Sequence, residues 1–208
     1  MVQFLNVQPI RHQVALAGQV KDAQTQRPVD RAQVAITAAP AAFTAWLALK
    51  AIQYGEGWDR LGERPDHTRT APDGHFHFLD LPDGQYTLTV SLPGAGSRYG
   101  TAEVNAQVAR SLHDPAKITP ADIALPPTTL KGQVTDATTH EAVSLAEVLV
   151  QGSGERTFSD TQGNYCLVGL EVGTRTVQVS ARGYKAYIQT VQLRQAGAEQ
   201  QLTVVLDK

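Results

Sequence analysis

With Cys166 as its single cysteine, this 208-residue chain excludes an internal disulfide framework. Long apolar runs are missing too, and none approaches the roughly 18 residues of a membrane span. Neither sign of charge dominates: 18 Lys+Arg against 20 Asp+Glu leave a net charge of −2. That balance supplies no pull toward nucleic acid or an anionic membrane, so neither is expected as a partner. The opening MVQFLNVQPIRHQVALAG lacks a basic stretch ahead of an apolar run, and Asn6, Gln8 and Arg11 interrupt it. It is not read as a secretory signal. Together with the lone thiol, this makes a cytoplasmic location the expectation.

What is present is a core-forming composition, 42% hydrophobic, arranged twice. Residues 17–37, AGQVKDAQTQRPVDRAQVAIT, lie over 131–151, KGQVTDATTHEAVSLAEVLVQ, with 9 of 21 positions identical at an offset of 114. Further on, TAPDGHFHFLDLPDGQYTLTVS (70–91) lies over SDTQGNYCLVGLEVGTRTVQVS (159–180) at an offset of 89. The first copy therefore carries 25 extra residues between Thr37 and Thr70, and a tandem duplication with one insertion follows. Each copy reads as all-β. Period-two alternation in VALAGQV, HFHFL and QYTLTVS gives about seven short strands per copy, punctuated by Asp73-Gly74, Asp83-Gly84, Gln162-Gly163 and Val172-Gly173. Such spacing suits a sandwich with one face of each sheet packed and one wet.

G-x-V-x-D, T-x-x-x-V-x-x-A-x-V, DG-x-F-x-F, G-x-Y and, in the second copy, ARGY together resemble the carboxypeptidase regulatory-like domain. The resemblance covers about Val14 to Leu206 apart from the insertion and implies two tandem seven-stranded Greek-key β-sandwiches of transthyretin-like fold. Copy one departs at its end, where PGAGSRYG stands in place of ARGY. The expected organisation is an N-terminal arm over 1–12, sandwich 1 over 13–126 with a helical insertion at about 40–66, and sandwich 2 over 127–208. LPPT (125–128) reads as a semi-rigid connector. The family implies accessory or binding modules rather than one activity.

Candidate chemistry is sparse. His75-x-His77 puts two imidazoles on one strand face, opposite the Phe76 and Phe78 expected in the core; without a third ligand they read as surface histidines. A simple hairpin across APDG sets Thr68 and Thr70 beside them, with His67 on the other side. Asp73, Asp80, Asp83 and Asp160 sit where turns recruit aspartate, and GAGSRYG reads as a loop. Neither G-x-S-x-G nor H-E-x-x-H occurs. The purine-pathway hydrolase of the same fold carries a C-terminal Tyr-Arg-Gly-Ser signature that this chain lacks. No catalytic residue, metal ligand or cofactor is expected.

The insertion stands out. Phe43, Trp46, Leu47, Lys50, Ala51 and Tyr54 share one helical face, while Leu49 and Ile52 lie on the other side. Both tryptophans fall in this segment. A helix apolar over more than one face has room for a partner, and Trp, Tyr and Arg are enriched at interface hot spots. The expected protein-docking set is Phe43, Trp46, Leu49, Ile52, Tyr54, Trp58 and Arg60. The resulting expectation is a non-enzymatic structural or adaptor protein binding other subunits of a larger assembly. By analogy with sandwich domains in phage tails, a contractile injection system is the expected setting. The alternative is a carbohydrate-binding or surface-adhesion module stacking sugars on Trp58, Tyr99 or Tyr184.

Overall fold

A computed structural model describes residues 12–61, 64–109 and 117–208. Of the expected N-terminal arm only His12 falls within them. The first copy supplies β1 (Val14–Asp22), β2 (Gln33–Ala38), β3 (His67–Arg69), β4 (His75–Leu79), β5 (Gly84–Ser91), β6 (Ala102–Val108), β7 (Thr119–Pro120) and β8 (Ile123–Leu125). The second repeats the series as β9 (Thr129–Asp136), β10 (Glu147–Val150), β11 (Arg156–Phe158), β12 (Asn164–Val168), β13 (Gly173–Ser180), β14 (Tyr187–Leu193), β15 (Glu199–Gln201) and β16 (Val204–Leu206).

In the first copy one sheet runs β4-β1-β7 with β8 also on β1, and the facing sheet runs β3-β2-β5-β6. The second copy has the same two sheets, β12-β9-β15 with β16 on β9, and β11-β10-β13-β14. β7 and β8 both lie parallel to β1 and are two halves of one edge strand, as are β15 and β16 on β9. Among the described residues each copy is thus a seven-stranded, two-sheet sandwich. The break in the edge strand explains a repeated glycine. A Cβ on Gly18 would meet the Ala121 carbonyl oxygen at 2.0 Å, and one on Gly132 would meet that of Leu202 at 1.9 Å. The chain arches over β1 and β9 where only glycine leaves room.

Alternation places Leu16, Val20, Val34, Phe76, Phe78, Leu88 and Val90 inside the first core, and Val134, Val148, Tyr165, Leu167, Val177 and Val179 inside the second. Buried polar pins repeat as well. The buried Asp22 carboxylate accepts from the amides of Gln24 and Thr25, both at 2.8 Å, and from the Tyr99 hydroxyl at 2.7 Å. Asp136 accepts from Thr138 at 2.7 Å, Thr139 at 2.9 Å and the Tyr184 hydroxyl at 2.9 Å. Each pin joins the end of the first strand to a loop leaving the opposite sheet. Thr70 and Ser159 form the second pair of pins. Their hydroxyls donate to Val29 and Val143 carbonyls at 2.6 and 2.7 Å and accept from the Ala32 and Ala146 amides at 2.8 and 2.9 Å.

Three expectations change. The hairpin across APDG does not form: β3 pairs with β2 and β4 with β1, so residues 71–74 carry the chain between sheets. Phe76 and Phe78 still face the core and His75 and His77 the solvent, because side-chain alternation is a property of the strand and not of its neighbour. The end of copy one also departs less than its sequence implies, since Tyr99 of SRYG takes the position that Tyr184 of ARGY holds on Asp136. Finally, the connector is part of a packed junction. Pro127, Thr128 and Thr129 are buried; Thr128 donates its amide to Arg98 O at 2.8 Å and its hydroxyl to Ser97 O at 2.8 Å, and accepts from the Gly197 amide at 2.8 Å. Arg98 reaches into the second copy, donating to Glu155 and to the Gly169 carbonyl, both at 2.9 Å. Backbone meets backbone here: a Cβ on Gly197 would lie 2.7 Å from the Gly100 Cα.

Candidate interaction surface on the insertion

The inserted residues form α1 (Ala41–Tyr54), followed by a 3-10 turn at Gly55–Arg60. Five alanines in fourteen residues favour the helix, and Gly55 ends it. The helix is anchored near its start. Phe43 is 2% exposed and packs edge-on against the buried Tyr86, ring centroids 5.8 Å apart, with Leu47 half-buried one turn later. At about 1.5 Å per residue the fourteen-residue helix is roughly 21 Å long.

The structure divides the expected docking set. Phe43 belongs to the first core and is not on a docking surface, because the short Pro40 entry brings the first helical turn directly over β5. Trp46 stands at the flank, 42% exposed. Leu49 at 66% and Ile52 at 78% point away from the sandwich, and Tyr54 at the helix end is 54% exposed. Trp58 is half-buried, with Tyr54 at 5.9 Å and the Arg64 guanidinium 4.7 Å above its ring. Arg60 is exposed.

Arg64 clamps the returning chain. It donates through Nε to Asp66 at 2.9 Å, makes a second bond from Nη2 to the same carboxylate, and reaches Asp59 at 3.4 Å. Burial pushes the Asp66 carboxyl up, but the Arg64 bonds and charge outweigh it and hold it below its ordinary range. The Asp66 carbonyl in turn accepts from the Ile36 amide at 2.7 Å, fixing the insertion to β2.

Between α1 and the edge strands β3 and β4 lies a groove of about 630 Å³. Phe43, Trp46, Phe78, Leu79, Pro65 and Pro82 supply its apolar lining, with His12, His67, His77, Arg64 and Asp80 among the polar groups. His67 and His77 thus share one groove, although a hairpin would have separated them. Sequence reasoning passed over Leu79, whose signal was an apolar residue in the outward register of HFHFL. The Arg64 clamp had no sequence signal.

Elsewhere the polar groups serve structure. Asp73 accepts from the His75 amide at 3.1 Å, and this bond, with the His75 ring beside it, holds its carboxyl below the ordinary range. Asp160 accepts from Gln162 and Asn164 at 2.9 and 2.8 Å. Among the described residues no three His, Cys, Asp or Glu side chains could share a metal ion. Partial burial raises the Cys166 thiol, opposite to the activation a nucleophile needs. Of the three aromatics considered for sugar stacking, Tyr99 and Tyr184 are tied to Asp22 and Asp136, and Trp58 is covered on one face by Arg64.

Fold and surface together define a tandem transthyretin-like sandwich protein with a helical attachment on one copy. The chain belongs to the carboxypeptidase regulatory-like domain family, whose model matches residues 15–114 and 129–207. No curated protein matches it. Among solved structures it is similar to the shaft pilin SpaA of Lactobacillus rhamnosus GG, at 14% identity over 95% of this chain and 97% of that one, with a TM-score of 0.43. It is also similar to a streptococcal ancillary pilin, at 14% identity, 95% and 62% coverage and a TM-score of 0.37. A type II cohesin-X-dockerin complex from Acetivibrio cellulolyticus matches at 15% identity and a TM-score of 0.32, over 38% of this chain and 56% of that one. The chain thus spans little more than half the length of the cohesin-X-dockerin match.

Proposed function

We propose that this protein is a non-enzymatic structural or adaptor subunit that binds other protein subunits through its helical insertion. The observation that carries the reading is the outward face of α1, where Leu49 and Ile52 are 66% and 78% exposed on a helix already anchored by Phe43. Burying a side chain of this kind is worth roughly 1.5 to 3 kcal/mol. Two of them one turn apart, with Tyr54 beyond, make an apolar ridge suited to a groove on a protein partner. The packed junction supports the same role, because a stiff pair of sandwiches holds that ridge at a set distance from the far end. The setting we favour, by analogy from the fold class, is a cytoplasmic tail-like contractile assembly.

The test compares the native chain with the double variant Leu49→Ser/Ile52→Ser by affinity purification from its own host, read by mass spectrometry and size. Tail-tube or sheath-like subunits should accompany the native chain in fixed ratio, and the variant should elute alone with its β circular-dichroism signal intact. Equal recovery of those subunits by both proteins would remove α1 as the docking surface.

A further inference from the structure

Beyond its outward ridge, the insertion creates a second feature where it returns to the sandwich. Between the 3-10 turn and the wet faces of β2 and β3 lies a cleft of about 540 Å³. Ala35 and Gln33 line it from β2, His67 and Arg69 from β3, and Arg60 from the turn. The register explains the grouping. Ala35 pairs with His67 and Gln33 with Arg69, while the buried Val34 between them faces the core. Residues two apart on each strand therefore share the wet face. The repeat places Leu149 of the second copy at the position of Ala35, so the first copy carries a small side chain where its insertion passes.

The charges of this cleft do not balance. Asp66 and Asp59, the acidic groups of its described lining, are both taken up by Arg64. Among the described residues no carboxylate lies within ion-pair distance of Arg60 or Arg69, and both are exposed. The second copy shows what is missing. There Glu147 pairs with Arg156 at 3.6 Å, whereas the first copy has Gln33 at the position of Glu147, directly across from Arg69. Two guanidiniums are thus left uncompensated in a concave site, where low-dielectric walls focus their field. Their planar forks match a carboxylate in shape and charge. Asp59 and Asp66 beside them keep that field moderate, which suits singly charged carboxylates spaced along a chain better than a compact phosphate dianion. We propose that this cleft binds an acidic segment of a protein partner, with one carboxylate on Arg60 and another on Arg69, and the Gln33 amide available to the segment's backbone. The site is on the sheet face and not on the Leu49–Ile52 ridge, so it does not rest on the function proposed above.

Titration of the full chain with a hexaglutamate peptide at low ionic strength, followed by calorimetry and by NMR of the arginine Nε–H groups, tests the assignment. Binding should saturate and shift the Arg60 and Arg69 signals. Arg60→Gln/Arg69→Gln, at exposed positions, should raise Kd about tenfold or more with the fold intact. Gln33→Glu, which gives Arg69 the acidic neighbour of the second copy, should raise it about threefold without removing a cation. Arg182→Gln/Lys185→Gln, which removes the same charge from exposed positions of the second copy, should leave Kd unchanged. No saturable binding by the native chain, or equal weakening by the second-copy variant, would overturn the proposal. Inorganic phosphate that displaces the peptide at matched concentration would overturn it too, by assigning the cleft to a compact anion.

Discussion

In the second copy the chain passes from β10 to β11 through five residues, whereas in the first 28 residues separate β2 from β3. Around that difference the two sandwiches are the same machine. Both break the last strand over a glycine, both bury an aspartate under a tyrosine hydroxyl, and both pin the third strand through a buried Thr or Ser. The second copy shows that a core of this design closes without a helix. The helix in the first is therefore not needed to complete the sandwich, and most of its apolar surface stays outside: Phe43 alone is buried, while Leu49, Ile52 and Tyr54 face solvent. The loop 93–100 is the other difference. Where the second copy makes the short ARGY turn, the first extends a loop whose Ser97, Arg98 and Gly100 grip the connector and the neighbouring sandwich.

The largest way to break the comparison is Phe43→Ala. Removing a buried aromatic from a packed core costs about 3 to 5 kcal/mol, and calorimetry should show the concerted transition lowered accordingly, with the insertion released from β5. An unchanged thermogram would mean the helix is held by something other than this anchor. Next comes Gly197→Val, which puts a branched side chain at a positive φ of 75° against Gly100. Strain and overpacking together should cost about 2 to 4 kcal/mol. Two unfolding transitions should replace a concerted one, and small-angle scattering should report a broader range of distances. Persistence of a single transition would show that the junction does not couple the copies.

The third prediction sharpens what the copies share. Burial raises the Asp22 carboxyl, but the Thr25 amide, the Tyr99 hydroxyl and the Gln24 amide outweigh it, leaving the folded value below its ordinary one. Stability from this group is full above about pH 4, the unfolded value, and is lost as pH falls through the lower folded value. Burial, followed by the Asp22 carboxylate, pushes the Tyr99 hydroxyl up to about 12. Its contribution is full below about pH 10 and lost as pH rises toward that value. Asp22→Asn should cost about 1 to 3 kcal/mol near neutrality and flatten the acid limb, and Tyr99→Phe should flatten the alkaline one. If either limb keeps its slope, the pin does not set the pH range. Smallest in stability is Leu49→Ser/Ile52→Ser, which should stay within about 0.5 kcal/mol of the native chain, as exposed positions usually do.

The legible parts of the molecule were those governed by local periodicity. HFHFL announced which side chains face the core, the repeat announced two equal sandwiches, and the helical spacing of apolar residues from Phe43 to Tyr54 announced a helix. Less legible was partnership. A period of two tells which face a residue joins but not which strand lies beside it, so residues 71–74 read as a hairpin and proved to be a crossing between sheets. The docking set shows the same limit: Phe43 and Trp46 share a helical face, yet one is in the core and the other borders a groove, because that depends on where β5 and β4 end.

Sequence alone determined the duplicated all-β design, the site of the insertion and the turn aspartates, since each is written in residues close together along the chain. Tertiary structure alone decided that Tyr99 replaces the tyrosine of ARGY, that the double-proline connector is packed between two sandwiches, and that Leu49 and Ile52 remain outside. Those outcomes depend on contacts between segments tens of residues apart, where chain geometry and packing select the neighbour and local pattern does not.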